Sequence, residues 1–373
     1  YCTSLEEVIM PSTITNLEDS VFSYCSNSLV VKFKINSFTE YLSIDGLNNL
    51  SGINEIRFVD ANNETITDFV IPSNVVSIPS GAFNNCSSMN TVTISEGVTT
   101  ISDNAFLGCT NLKTVYIPGS VNSIGAAFTN CSSLTDIYIT VNSVPDFINV
   151  TGKQNLVGSV HLMDNNGNEI TEVVVPDTVT SLPKYAFANC NNICSMSIPA
   201  SVTNIDYGIL SGCTSIKTLT IPYITSIGTI FNTENANVPS CLETIIISDG
   251  CQSIKSTTFE KCTAFEEVII SGTVETIGSS AFAYCTGLAT ATIAEGTTKL
   301  ESGCFHSCSN LTSVYLPSTL SSIGMRSFAW CTSLTSIYFN GTIEQWNSIT
   351  LQSEWNRDSP ISVVHCLNGD IAL

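Results

Sequence analysis

Positive charge is scarce in this sequence: 12 Lys plus Arg stand against 32 Asp plus Glu in 373 residues, a net charge of −20. Such a surface repels phosphate backbones and anionic lipid, so nucleic acid is excluded as a partner. Histidine is scarcer still, limited to His161, His306 and His365. No nucleophile elbow, phosphate-binding glycine loop or four-ligand zinc spacing is present, so no catalytic, cofactor or metal site is expected. Cys304-Phe-His306-Ser-Cys308 has the look of a ligand set, but alternation turns His306 away from its two thiols. No apolar run reaches membrane length, so no membrane span is expected in the chain. There is no initiator Met and no basic, then apolar leader.

What the chain has in abundance is one phrase: an aromatic, two residues, a cysteine, then alternating apolar residues about nine positions on. Phe83 and Cys86, Phe106 and Cys109, Phe128 and Cys131, Phe187 and Cys190, Phe259 and Cys262, Phe282 and Cys285, Phe305 and Cys308, and Phe328 and Cys331 keep the spacing, as do Phe22 with Cys25 and Leu210 with Cys213. Self-similarity at this period means stacked units, each unable to bury its apolar side without a neighbour. Aligned on the last strand residue, rungs fall at Met10, Phe33, Ile71, Ile94, Ile117, Ile139, Val175, Ile198, Ile221, Ile247, Ile270, Ile293, Leu316 and Phe339, most of them 23 residues apart. Val115 and Ile117 alternate with Thr114 and Tyr116, the period of a strand buried on one face. Seven residues past a rung comes a further buried aliphatic such as Ile101 or Ile277, and then an Ala-Phe pair opens a short turn or single helical turn.

The phrase Cys109-Thr-Asn-Leu112-Lys-Thr-Val115-Tyr-Ile117-Pro118-Gly-Ser-Val121-Asn-Ser-Ile124-Gly-Ala-Ala-Phe128 resembles the BspA-like branch of the leucine-rich repeat proteins, and the likeness covers nearly the whole chain. It implies an α/β-type solenoid: a right-handed superhelix with a parallel concave β-sheet and short helical or irregular convex segments. It also implies a cell-surface or secreted protein used for protein binding or attachment to host, matrix or other cells.

Residues 1–373 read as a single solenoid with island modules at 36–66, 140–170 and 341–373 that break the rhythm and match one another. Ser37, Glu40 and Tyr41 correspond to Ser143, Asp146 and Phe147, and Gly46 and Gly52 to Gly152 and Gly158, all 106 apart; from Ile56 and Val160 onward the offset is 104. Near the end Thr342, Gln345 and Trp346, then His365 and Cys366, repeat the module. Each opens as a capping box. The islands read as former end-caps, because a final rung otherwise exposes an apolar cross-section and an unpaired edge; the alternative is ordinary surface insertions. Tyr1-Cys2-Thr-Ser-Leu5 matches Trp330-Cys331-Thr-Ser-Leu334, so the chain is expected to begin in mid-repeat with sequence upstream of it.

Sixteen cysteines would ordinarily signal a disulfide framework, but ten belong to the repeat phrase and Cys2 is its truncated copy. A ladder of buried thiols is the expectation, with Cys241, in an irregular stretch, the candidate exposed thiol. His161 and His365 are expected at solvent-facing strand positions, and Asp164-Asn-Asn-Gly167 as a strand-to-strand turn rather than a calcium loop. The candidate binding face is the outward side of the strands, Tyr116 with Tyr138, Ile246 with Ile269, and Tyr315 with Tyr338; strand preference and cross-strand stacking account for the same residues without a ligand. The partner expected is an extracellular protein or glycan and the chain a monomer. The competing reading is a structural, self-assembling surface-layer element.

Overall fold

The computed structural model describes residues 2–50, 53–222 and 226–373. Tyr1 and Gly52, which take part in the repeat correspondences above, lie outside the described residues. The fold is a parallel-strand β-solenoid whose chain divides into two compact units, Tyr1–Ile170 with Ala188–Asn192, and Thr171–Phe187 with Ile193–Leu373.

In the first unit the rung strands form two sheets rather than one. Glu7–Met10, Val30–Lys34 and Glu55–Val59 pair in parallel, and a second sheet runs from Asp68–Ile71 to Ser159–Met163. Each sheet ends on an island strand. The islands are therefore rungs themselves, with Phe58 in register with Phe33 and Leu162 with Ile139, a contribution that the interrupted spacing concealed. The free edge of each island strand bonds to the next repeat's turn instead of to its strand: Ile56 N donates to Asn85 O at 3.1 Å and Val160 N to Asn189 O at 2.8 Å. The core nevertheless continues across the break, where the Phe58 and Phe69 rings meet edge to face at 5.4 Å.

The second unit carries one ten-stranded sheet from Glu172–Val174 to Val363–Cys366, closed by the antiparallel strand Gly369–Ala372. That last strand covers the edge that would otherwise template aggregation.

The aliphatics seven residues past each rung make a second parallel ladder of two-residue strands, Ser77–Ile78 to Ser123–Ile124 in the first unit and Ser253–Ile254 to Thr350–Leu351 in the second. Nothing in the alternation announced that ladder, because two residues are too few to show a period. The Ala-Phe turns are not helical. They hold a third set of rung-to-rung bonds, such as Phe282 N to Cys304 O at 2.7 Å and Phe305 N to Ser327 O at 2.9 Å. To make them, the residue two past each Phe turns left-handed, whether it is Asn85, Gly108, Tyr284 or Trp330. A non-glycine residue there costs of order 1–3 kcal/mol, offset by the bonds its neighbours gain.

Inside, the Phe side chains stack as a spine. Phe83, Phe106 and Phe128 lie 5.1 and 5.2 Å apart, and Phe259, Phe282, Phe305 and Phe328 lie 4.8, 5.1 and 5.5 Å apart, none tilted by more than 8°. The cysteines run beside them, and wherever a Phe-Cys rung precedes in unbroken rhythm the thiol donates to its Phe carbonyl: Cys109 to Phe83 at 3.1 Å, Cys285 to Phe259 at 3.0 Å, Cys308 to Phe282 at 3.0 Å and Cys331 to Phe305 at 3.1 Å. Eleven of the sixteen cysteines are buried. Burial pushes the thiols of Cys86, Cys304 and Cys331 up to about 12 and that of Cys262 to about 11. Cys241 is only half exposed and Cys2 is the exposed one, so the assignment of the exposed thiol to Cys241 is corrected: its irregular segment packs back against the solenoid.

The islands start as their sequences predict. Ser37 and Ser143 accept from the amides of Glu40 and Asp146, and Thr342 with Gln345 completes both arms of a capping box. Tyr41, Phe147 and Trp346 are all buried. Tyr41 meets Phe33 edge-on at 5.1 Å and Trp346 meets Phe339 edge-on at 5.4 Å, so the first and last islands cover the preceding rung in one way. Gly46 and Gly152 are obligatory, since both have positive φ and a Cβ there would strike the carbonyls of Leu17 and Ile124. Lys153 is the buried lysine of the second island: its ammonium donates to the carbonyls of Phe147, Ile148 and Val150 at 2.7, 2.8 and 2.7 Å, finishing the short helix Val144–Asn149.

Candidate functional site

Parallel pairing in strict register turns every outward strand position into a column. In the first unit one column reads Val70, Thr93, Tyr116, Tyr138 and His161. In the second it reads Val174, Ser197, Thr220, Ile246, Ile269, Thr292, Tyr315, Tyr338 and His365. All six residues singled out from sequence stand in these columns, on the outward face. Ile246 and Ile269 are half-buried neighbours, whereas Tyr116, Tyr315 and Tyr338 are exposed.

The aromatic members stack. Tyr116 and Tyr138 lie 5.1 Å apart with planes 15° from parallel, and Tyr315 and Tyr338 lie 4.9 Å apart at 18°. Each pair is extended by the island histidine: His161 sits 4.8 Å from Tyr138, and His365 sits 5.0 Å from Tyr338. Alternation alone makes these histidines ordinary solvent-facing positions and gives them no part in the tyrosine face. The available signal was that both occupy the position in their island strand that continues the tyrosine column, which becomes visible once the islands are known to supply strands.

Carboxylates orient both imidazoles. His161 Nε2 is 3.0 Å from Asp136 Oδ1 and its Nδ1 3.6 Å from Glu169, while His365 Nδ1 is 2.9 Å from Asp370 Oδ1. Asp136 is held below the usual carboxylate range, chiefly by the Thr135 hydroxyl against the penalty of desolvation, with His161 adding to the lowering. In the first island Arg57 takes the histidine's place, paired with Glu55 at 2.7 Å beside Lys32, and no tyrosine precedes it. That copy of the module lacks the ring stack.

The second unit's stack borders an open depression of about 620 Å³ lined by Thr292, Ile293, Tyr315, Leu316, Tyr338 and Phe339, with His365 and Leu367 at its far end. Its rim is stiffened by Glu295, whose carboxylate accepts from Asn340 Nδ2 at 2.7 Å, from the Ser318 hydroxyl at 2.9 Å and from the amides of Ser318 and Thr319 at 3.0 and 3.2 Å. Desolvation works to raise that carboxyl, and the four hydrogen bonds outweigh it, so it is held low.

The remaining polar features are local. Asp164 Oδ1 accepts from the amides of Asn166 and Asn168 at 2.8 Å each, closing the turn after the island strand Ser159–Met163. His306 lies between Tyr284 and Trp330 on the turn side, outside the thiol ladder. Among the described residues no group of three or more His, Cys, Asp or Glu is placed to hold a metal ion, and no helix is long and apolar enough to cross a membrane.

Solved structures of similar chain course include a leucine-rich repeat protein from Bacteroides ovatus, 19% identical over 94% of this chain and 92% of that one, with a TM-score of 0.47. Others are a leucine-rich repeat protein from Eubacterium ventriosum, 22% identical over 91% and 92% with a TM-score of 0.34, and a leucine rich cell surface protein from Faecalibacterium prausnitzii, 23% identical over 93% and 91% with a TM-score of 0.28. No curated protein matches. The repeat signature itself is specific: the model of the BspA type leucine rich repeat region matches residues 1–66, 51–149, 164–240 and 233–354. With the Phe and Cys ladders falling on those repeats, the chain belongs to the BspA type leucine rich repeat family.

Proposed function

We propose that the chain is a non-catalytic recognition scaffold at the cell surface or in the extracellular space, binding an extracellular protein through the outward tyrosine columns. The observation that carries this reading is the exposure of stacked tyrosines over an apolar depression in an otherwise Ser- and Thr-rich face. Water gains nothing from such rings, and rigid aromatics lose little conformational entropy when a partner covers them. On this reading the islands are end-caps kept within one fused solenoid, and adhesion to host, matrix or another cell is the physiological use.

The test is an array of extracellular proteins and glycans probed with the folded chain and with Tyr315→Ser/Tyr338→Ser. Loss of at least about tenfold in binding to the captured partner, with the thermal transition unmoved, is expected for central aromatic anchors. Equal binding by the double variant would remove the tyrosine face from the function.

A further inference from the structure

The two columns share more than their tyrosines. Val70, Thr93, Tyr116, Tyr138 and His161 repeat residue for residue in kind as Ile269, Thr292, Tyr315, Tyr338 and His365: aliphatic, threonine, tyrosine, tyrosine, histidine. The neighbouring outward position agrees too. An acid heads the aliphatic strand in each case, Asp68 before Val70 and Glu267 before Ile269, each paired with a threonine, Thr91 or Thr290. The first half of the second unit is an internal contrast: it starts with Val174 but continues with Ser197 and Thr220, and so has no ring wall.

Ring orientation gives these columns a shape. The planes are nearly parallel and the centroids are one strand spacing apart, so the rings stand on edge and cover one another's faces. One face in each stack lies open, that of Tyr116 toward Thr93 and that of Tyr315 toward Thr292. Threonine is too short to reach the height of a ring. The aliphatic side chain on its far side is two strand spacings, about 9.6 Å, from the tyrosine. The result is a slot one rung wide with an aromatic wall, an aliphatic wall and a threonine floor. A single planar group midway between them lies about 4.8 Å from each, the centre spacing that the stacked rings themselves keep. In the second unit Thr292 and Tyr315 line the open depression on one side of the slot and Tyr315 is exposed, and in the first unit Val70 and Tyr116 are exposed, so solvent reaches both slots.

The chemistry of the occupant is set by the surroundings. A pyranose needs a broad ring face lying flush with the surface, and these rings present edges. A neutral aromatic would fill the slot but leave the carboxylate unused. Asp68 accepts from the hydroxyls of Thr91 at 2.5 Å and Thr67 at 2.9 Å, which fixes its charge about 6.6 Å along the strand from the slot floor. A guanidinium is planar, favours aromatic faces and carries a fork of donors for carboxylate and hydroxyl. The net charge of −20 draws cationic partners to the face as a whole.

We infer that each unit carries one arginine-binding slot, over Thr93 between Val70 and Tyr116 and over Thr292 between Ile269 and Tyr315, each taking an arginine of a basic protein segment. This rests on the recognition reading above and names its partner as an arginine-bearing polypeptide.

The experiment uses the full chain with ¹³C-labelled tyrosine rings, titrated with N-acetyl-arginine amide and, separately, with the citrulline and lysine counterparts and with N-acetylglucosamine. Saturable shifts at Tyr116 and Tyr315 are expected with arginine, about tenfold weaker with the uncharged citrulline. Thr292→Phe, which fills one slot with a residue that strands favour, should abolish the Tyr315 response and spare that of Tyr116; Thr93→Phe should do the reverse. Equal response to citrulline or lysine, a response to the sugar alone, or a Tyr315 response that survives Thr292→Phe would each overturn the slot. If arginine leaves the rings unmoved while Tyr315→Ser/Tyr338→Ser still loses its partner on the array, the slot is wrong and the recognition reading stands. If partner binding survives both sets of substitutions, the recognition reading fails as well.

Discussion

The inner phenylalanine spine and the outer tyrosine columns are built by the same operation and end with opposite consequences. Inside, Phe259, Phe282 and Phe305 stack at 4.8 and 5.1 Å; outside, Tyr315 and Tyr338 stack at 4.9 Å. The spacing is that of parallel strands, imposed by the backbone on any residue placed at one position of successive repeats. Stacking therefore carries no information about function. Exposure does: the three phenylalanines are fully buried, whereas Tyr315 and Tyr338 are 43% and 38% exposed. The interior column is held because it removes apolar area from water. The exterior column removes little, and on the proposed reading its rings are kept for a partner that covers them.

The largest contrast is expected at alkaline pH, where the interior becomes a liability. A thiol with an unfolded pKa of about 8.5 that stays protonated in the folded state contributes stability fully below that value and loses it as pH rises toward the folded pKa, about 1.4 kcal/mol per pH unit per thiol. Cys262, Cys304 and Cys331 of the second unit have folded values of about 11, 12 and 12, giving a fall of about 4 kcal/mol per pH unit from about 8.5 upward. Burial raises Cys285 and Cys308 in the same direction. In the first unit burial raises Cys86 and Cys109 likewise, but the bond with Cys109 lowers Cys131, and Lys153 opposes them: burial lowers its pKa to about 8, so its desolvation penalty is full below that value and is relieved as pH rises to about 10.4. Hydrogen exchange measured from pH 8 to 10 should show amides of the second unit losing protection first. Uniform loss would mean the thiols are not proton-locked by burial.

Next comes the spine itself. Phe282→Ala should destabilise by about 4 kcal/mol in denaturant unfolding, the cost of a large cavity with a ring missing from both neighbours' contacts. Lys153→Met should cost about 2 kcal/mol, because three carbonyls of the second island lose a charged donor. A neutral or stabilising result there would assign the lysine to the burial penalty rather than to closing the helix. Smallest is the exterior: Tyr315→Ser should change stability by less than about 1 kcal/mol. A loss as large as that of Phe282→Ala would erase the distinction between the two columns.

The rungs, their inward residues and the outward tyrosines were legible because a period of two, repeated every 23 residues, is a strong signal. What escaped was set by contacts between repeats. The second ladder has strands of two residues, too short for a period. The left-handed turns fall on Tyr284, Lys261 and Trp330 as readily as on glycine, so composition does not mark them. The repeated cysteine reads as a small hydrophobe, and its donation to the preceding Phe carbonyl appears only once two rungs are stacked. Alternation puts His161 and His365 on the correct face, yet their part in the stacks depends on the islands supplying strands in register with the tyrosines.

The most direct test of the division between a structural interior and a recognising exterior is hydroxyl-radical footprinting of tyrosines with the array-identified partner bound. The protein carries its own controls, since Tyr207 and Tyr284 are 39% and 45% exposed, as open as Tyr315 and Tyr338, but lie on the turn side. Protection of Tyr315 and Tyr338, or of Tyr116 and Tyr138, with Tyr207 and Tyr284 unchanged is the predicted result. Protection confined to Tyr207 and Tyr284 would contradict it.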